Sequence, residues 1–330
     1  GNGTNIGNIT GSGTITTTSN KDIRNGSIDA GITFAGAGQI FKQTTGTVTF
    51  AGTRAASVGN THVREGTLIL DYTTNNTSKI GAVLNLGLTG VATDAALILN
   101  GNASATTSQS VTSTTVLPGN MMIGLNNGAS QTLDLNLGAI TRSVEGGTVS
   151  FVYSSSDAKA TSTSPAGTLG WATVKTGAGT ERFAAIDGSG DIIQAAFTTE
   201  NNPGLWTAGD NIIIDGATTG VPADCTTIST LTFTSTVAST LNIPASQRLQ
   251  VSTGGIMVDS GLGAVDMRIL GGELTGSTSG VLGEIIVHQN NSLGSLTIGS
   301  NIVNSGGITK TGVGTLVLSG NNSFTAGSEV

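Results

Sequence analysis

The chain is 330 residues long, with 50 glycines, 4% aromatic and 10% charged residues, a net charge of -7 and a single cysteine, Cys225. An apolar content of 37% separates it from the disordered class, which is highly charged and poor in apolar residues, so the chain is expected to fold. The negative charge is spread thinly with no basic run, which leaves no footprint for nucleic-acid binding. One cysteine makes neither an intrachain disulfide nor a thiolate metal cluster.

Read from the N-terminus, the first ordered signal is FKQTTGTVTFAGT, from Phe41 to Thr53, in which Val48 and Phe50 alternate with threonines ahead of a small turn at Ala51-Gly52-Thr53. The run Leu68-Ile69-Leu70 follows and is apolar on both faces, as an enclosed strand requires. Asp94 to Leu99 offers one helical turn at most, because Gly and β-branched residues interrupt every helical pattern. Leu133-Asp134-Leu135-Asn136-Leu137 alternates with period two. Residues 154–168, which include SSSDAKATSTSPAG, are low in complexity and are expected to form an exposed loop insertion. Further on, Ile212-Ile213-Ile214 and Ile285-Ile286-Val287 are again apolar on both faces. Leu241-Asn242-Ile243, Leu249-Gln250-Val251 and Leu296-Thr297-Ile298 alternate. Strand candidates from Leu231 to Leu316 recur roughly every seven to eleven residues, so two or three per rung predict coils of ~20 to 25 residues.

The last signal, GGITKTGVGTLVLSGNNSF from Gly306 to Phe324, repeats the first: a Lys, a Gly-Thr step, an alternating strand and a small-Gly turn. Repeat copies thus lie near 41–71 and 306–327, and recurring strand-turn units signal a solenoid. Short strands, few aromatics and an interior of Val, Ile, Leu, Thr and Ala suit a narrow coil whose rungs stack ~4.8 Å apart. The expected fold is all-β: a right-handed parallel β-helix (β-solenoid), an elongated rod with short loop insertions. A Greek-key sandwich is the alternative. The chain starts at Gly1 without Met and stops at Val330 soon after a motif copy begins. It therefore reads as one continuous β-helical segment, 1–330, of a larger protein. No apolar run reaches the ~18 residues of a membrane helix.

The residues Thr309 to Phe324 resemble the autotransporter-associated β-strand repeat, whose pattern is a Thr-Lys, a Gly-x-Gly-Thr-Leu strand, a Ser/Thr-Gly turn and an Asn-x-aromatic step. The earlier copy departs from it at Gln43, at the single Gly46 and at Ala55-Ala56. Its continuation from Thr61 to Asp71 resembles the second half of the repeat. The resemblance implies a stalk or passenger segment of an exported bacterial surface protein, lying outside the outer membrane and serving structural and adhesive roles. It also implies adjacent coils of the same protein as partners, with surface glycans or receptors and self-association as further ones, and neither nucleic acid nor membrane insertion. No enzyme activity and no cofactor are expected. The alternative is a β-helical module that binds or cleaves carbohydrate, since parallel β-helices house lyases and hydrolases built on clustered carboxylates.

For that alternative the best local cluster is Asp187-Gly188-Ser189-Gly190-Asp191, two carboxylates in a Gly-rich turn and a candidate metal site, though a single such turn reads as a solvated one. Trp171 and Trp206, the two tryptophans, are candidates for a sugar-stacking platform if exposed and for sealing a coil if buried, the buried reading being preferred. His62 and His288 lack a neighbouring nucleophile turn and are expected as outward strand residues.

Overall fold

The computed structural model describes residues 6–129, 131–142, 144–218, 220–221, 226–276, 283–303, 306–323 and 328–329; Cys225 lies outside the described residues. Every regular element among them is a β-strand except one 3-10 turn, Pro203–Leu205. The chain separates into two compact units, Gly1–Gly167 with Ala172–Gln194, and Thr168–Trp171 with Ala195–Val330. Each is a stack of three-sided parallel coils, the arrangement of a β-solenoid.

In the first unit the chain passes in turn through a ten-stranded sheet, a third face and a six-stranded sheet before it returns. One such circuit runs through Thr47–Phe50, Thr53–Arg54, Thr61–Val63 and Gly66–Asp71. Parallel pairing sets like residues above one another. Val48, Leu68, Leu97, Ile123, Phe151 and Val174 form one inward column of the ten-stranded sheet, and all are buried. Period-two alternation makes this possible, because one face of each strand goes to the core at about 1.5–3 kcal/mol per large aliphatic. Side-chain bonds between neighbouring rungs span 19 residues at Ser27–Asn8, 20 at Thr33–Thr53 and 30 at Asn76–Thr106. The coils therefore lengthen well beyond the expected range in the middle of the unit.

Coil corners are where a repeated backbone bends, and their carbonyls lose ladder partners there. Lys42 stands in an inward column between Ile23 and Val63. Its ammonium donates to the carbonyls of Gln43 (3.0 Å), Thr44 (2.6 Å) and, on the next rung, Glu65 (2.8 Å). Thr44 is left-handed at φ 71°, one of two such non-Gly residues among the described residues. The second motif copy does the same: Lys310 donates to the carbonyl of Gly312 at 2.8 Å, and Gly312 has φ +81°. The motif Lys is thus a clamp on a left-handed corner two residues further on.

The third face changes sheets partway. Strands Ser12–Thr16, Gly31–Ala35 and Thr53–Arg54 form one sheet; Thr107–Ser110, Leu133–Asn136 and Ala158–Thr161 form another. Between them residues 72–82 contain no strand and close the gap with buried polar groups. Tyr72 donates to Gln109 Oε1 (2.7 Å), which also accepts from the Lys79 backbone (2.9 Å). The Lys79 ammonium donates to the carbonyls of Ala51 and Gly52 and to Asn75 Oδ1 at 2.8–2.9 Å, with the Tyr72 ring face 4.8 Å away.

The stretch 154–168 is not a projecting loop. Ala158–Thr161 pairs in register with Leu133–Asn136, and Ala158 and Ala160 are buried. Its inward residues are alanines, so the period-two signal is present but carries almost no hydrophobic contrast.

The first unit ends on an antiparallel hairpin, Arg182–Ile186 with Ile192–Gln194, which buries Phe183, Ala184, Ile186 and Ile192. Tyr153 donates to the Ile192 carbonyl at 2.9 Å and ties the hairpin to the last coils. In the second unit a seven-stranded sheet and two four-stranded sheets repeat the three-sided circuit. Ile212, Leu231, Ile256 and Val287 form its principal inward column.

Two predictions follow from the buried polar groups. Burial lowers both Lys42 and Lys79 to about 8, partly offset by Glu65 and Asp71 respectively. The unfolded chain, with ordinary lysines, therefore holds more protons at these two sites above about pH 8, and stability rises with pH from there to about pH 10, where buried Tyr72 and Tyr153, held above the usual tyrosine range, begin to oppose the rise. Urea midpoints at stepped pH should climb above about pH 8 in the parent and flatten in a Lys42→Met/Lys79→Met variant. A flat parent profile would refute it. Separately, Gln109→Leu leaves the Tyr72 hydroxyl and the Lys79 amide without their acceptor and should cost about 1–3 kcal/mol for each orphaned donor. Adding Tyr72→Phe should recover part of that loss in equilibrium unfolding.

Candidate functional site

The Asp187–Asp191 turn is the tip of the hairpin that closes the first unit. Asp187 Oδ1 accepts the backbone N–H of Ser189 (2.8 Å) and of Asp191 (2.9 Å), so the carboxylate is folded over its own turn. Gly190 takes φ +88° to complete it, and the Gly190 carbonyl accepts from Ser162 at 2.8 Å. Asp191 pairs with Lys159 at 3.2 Å across a half-exposed surface, an ion pair worth about 0–1 kcal/mol. Lys159 in turn stands beside Asp134 in register. The two candidate carboxylates thus serve a turn and a rung contact. Among the described residues no three His, Cys, Asp or Glu side chains gather as a cation site.

The tryptophans part company. Trp206 is buried in the core of the second unit with Ile212, Ile214 and Val221, and its indole N–H donates to the Glu200 carbonyl at 3.0 Å. It follows the 3-10 turn, whose first residue Pro203 is preceded by Asn202 accepting from Gly204 at 3.0 Å. Trp171 is half-buried and ends the segment Thr168–Trp171.

That segment is the feature sequence reasoning missed. Asn211 donates to Thr168 Oγ1 at 3.1 Å, His288 Nε2 donates to the Gly170 carbonyl at 3.1 Å, and a Cβ on Gly170 would stand 2.8 Å from the Gly255 nitrogen. Asn211, Gly255 and His288 lie on three different strands of the seven-stranded sheet. The segment therefore runs across the outer face of that sheet, at a distance only glycine permits. Outward residues such as Ile213, Met257 and Ile286 are buried, which explains why the runs containing Ile213 and Ile286 are apolar on both faces. His288 points outward in its strand and is only 4% exposed, because Thr168–Trp171 covers that face.

His62 is outward and half-buried, stacked on Phe41 with ring centroids 4.4 Å apart and bonded to Gln39 Oε1 at 2.6 Å. Burial, and then the nearby Arg64, hold its imidazole below the usual histidine range. The Arg64 guanidinium lies 4.0 Å from the centre of the Phe41 ring. No helix among the described residues is long and apolar enough to cross a membrane.

Comparison with known proteins places this repetitive architecture. No protein-family profile matches the chain, and no solved structure matches it. Over 280 residues, 81% of its length, it is 32% identical to the "Adhesin BmaC autotransporter" of Brucella suis biovar 1 (strain 1330), of which it spans 8%. The matched stretch is too long to be carried by the two motif copies alone. The chain is autotransporter passenger-like, a parallel-stranded repetitive sequence related to a segment of an autotransporter adhesin.

Proposed function

We propose that the chain is a non-catalytic segment of a bacterial surface adhesin, displayed outside the outer membrane as a right-handed parallel coil that carries and contributes to attachment. The observation that carries this reading is the 280-residue similarity to an autotransporter adhesin. The handedness rests on the general preference of parallel crossovers. Two features support a scaffold. Inward columns are filled by Val, Ile, Leu and Phe, which leaves outward rows, such as that of Asn85, Thr115 and Thr141, for contact with other molecules. The candidate carboxylates Asp187 and Asp191 are engaged in a turn and with Lys159, an arrangement that suits architecture better than acid-base chemistry. Partners are then surface glycans or receptors on the opposing cell, met by repeated polar rows, with neighbouring coils of the parent protein above and below.

The test is display of this chain as the passenger of an unrelated outer-membrane translocator. Protease should remove it from intact cells, and attachment to host-cell monolayers or glycan-coated surfaces should rise several-fold over the translocator alone. A chain that is displayed but leaves attachment at baseline would sink the adhesive reading. Release of oligosaccharides from a polysaccharide by the purified chain would favour the catalytic alternative.

A further inference from the structure

The outer face of the six-stranded sheet presents two arginines that the rest of the chain leaves unpaired. The row of Asn85, Thr115 and Thr141 continues through His62 and Phe41 to Asp22. Two residues further along the same strands, Arg24, Gln43 and Arg64 follow the inward Ile23, Lys42 and Val63 and therefore face outward. Arg54, Arg142, Arg182 and Arg248 each donate to a carbonyl or a carboxylate. Among the described residues, Arg24 and Arg64 do neither. In a chain of net charge -7, Lys21, Arg24, Lys42 and Arg64 outnumber Asp22 and Glu65 around this face, so the local field favours an anion.

Arg64 is positioned before any ligand arrives. Its guanidinium carbon lies 4.0 Å from the centre of the Phe41 ring. Phe41, 7% exposed, is held by its stack on His62, and His62 is held by Gln39. A guanidinium resting on an aromatic ring spends its face on the contact and keeps its in-plane N–H donors, whose fork matches a carboxylate. Arg24 offers the same fork two rungs away, or about 9.6 Å at ~4.8 Å per rung. Gln43 stands half-buried between them, with an amide for hydroxyl groups. Carboxylates at that spacing on a hydroxyl-rich chain are what a polysaccharide carries when every second sugar is a uronic acid. We propose that this face binds a linear uronate-bearing glycan laid along the stack, with Arg24 and Arg64 each taking one carboxylate.

Asp22 gives the assignment a sign. It is exposed on the same face, in register with Phe41, and its charge repels an anionic ligand while a neutral sugar is indifferent to it. Two exposed cations against one opposing charge make a weak, salt-sensitive contact. It gains strength when many displayed copies meet one long polymer. The inference rests on the adhesive reading and names the glycan class for it.

Fluorescence anisotropy of a labelled hyaluronan oligosaccharide, titrated with the whole chain at low salt, tests it. The parent should bind hyaluronan and ignore the same oligosaccharide after its carboxylates are reduced to alcohols. Arg24→Gln and Arg64→Gln should each weaken binding about tenfold, the loss of one charge-assisted pair. Asp22→Asn should tighten it several-fold. Arg268→Gln, which removes an equal charge from an exposed position of the second unit, should leave it unchanged. Circular dichroism melts confirm that each variant folds. A folded parent that does not bind hyaluronan, binding that survives carboxyl reduction, or an Arg24→Gln/Arg64→Gln variant that binds as the parent does would each overturn the proposal. Attachment by the displayed chain is read separately, so a chain that attaches without binding hyaluronan loses this site and keeps the adhesive reading.

Discussion

In-register parallel stacking is the constraint on which the rest depends. A strand in such a coil satisfies its backbone only through the rungs above and below it, and each rung must bend at its corners without losing those partners. Ladder bonds take care of the flat faces. At the corners the carbonyls turn away from the ladder, and a buried carbonyl without a donor costs on the order of 1–3 kcal/mol. Lys42 answers this at one corner with three oxygens around a single ammonium, and Lys79 answers it where the third face changes sheets. A charge in the core is expensive when bare. Here its hydrogen-bond partners are backbone dipoles that would otherwise be unsatisfied, so each cost is offset in part, and the lowering of both lysines to about 8 is what remains of the cost of the charge.

The same constraint explains the ends. A stack that stops exposes both an apolar cross-section and a strand edge. The first unit ends by reversing direction: its final hairpin pairs antiparallel. The second unit carries Trp206 in the core beside Ile212, on an early strand of its sheet. The acidic turn Asp187–Asp191 belongs to this hairpin. Its chemistry is that of a turn because its position is that of a lid.

How much of this the sequence disclosed depends on hydrophobic contrast. Leu68-Ile69-Leu70, Ile212-Ile213-Ile214 and Leu296-Thr297-Ile298 announce strands, and all three are strands. Ala158-Lys159-Ala160-Thr161 is also a strand, but alanine on the inward face is nearly silent in a hydropathy pattern, so it reads as low complexity. Coil length, read from Leu231 to Leu316 as ~20 to 25 residues, fits the rung from Leu231 to Ile256 and falls short of the longer one from Ile256 to Val287, since longer corners leave no periodic mark. The covering of the second unit's sheet by Thr168–Trp171 was half legible. Ile213 and Ile286 signalled enclosure, but nothing in Thr168-Leu169-Gly170-Trp171 named the face it crosses. Contacts between residues more than a hundred positions apart, such as Gly170 and His288, leave no local signal.

The division between inward and outward rows also governs where function can sit. Inward columns are fixed by packing, because a one-residue slip would exchange the two faces of every strand. Outward rows are free of that demand, yet they inherit its regularity: whatever residue a strand presents is set ~4.8 Å from its counterpart on the next rung. Chemistry that needs several different groups converging on one point is hard to build from such rows. Asp22 and Asp134, for example, lie on different sheets. Contact that needs the same weak interaction many times over is easy to build. Outward rows such as that of Asn85, Thr115 and Thr141 are organised for the second task, and the clamped corners keep those rows in register.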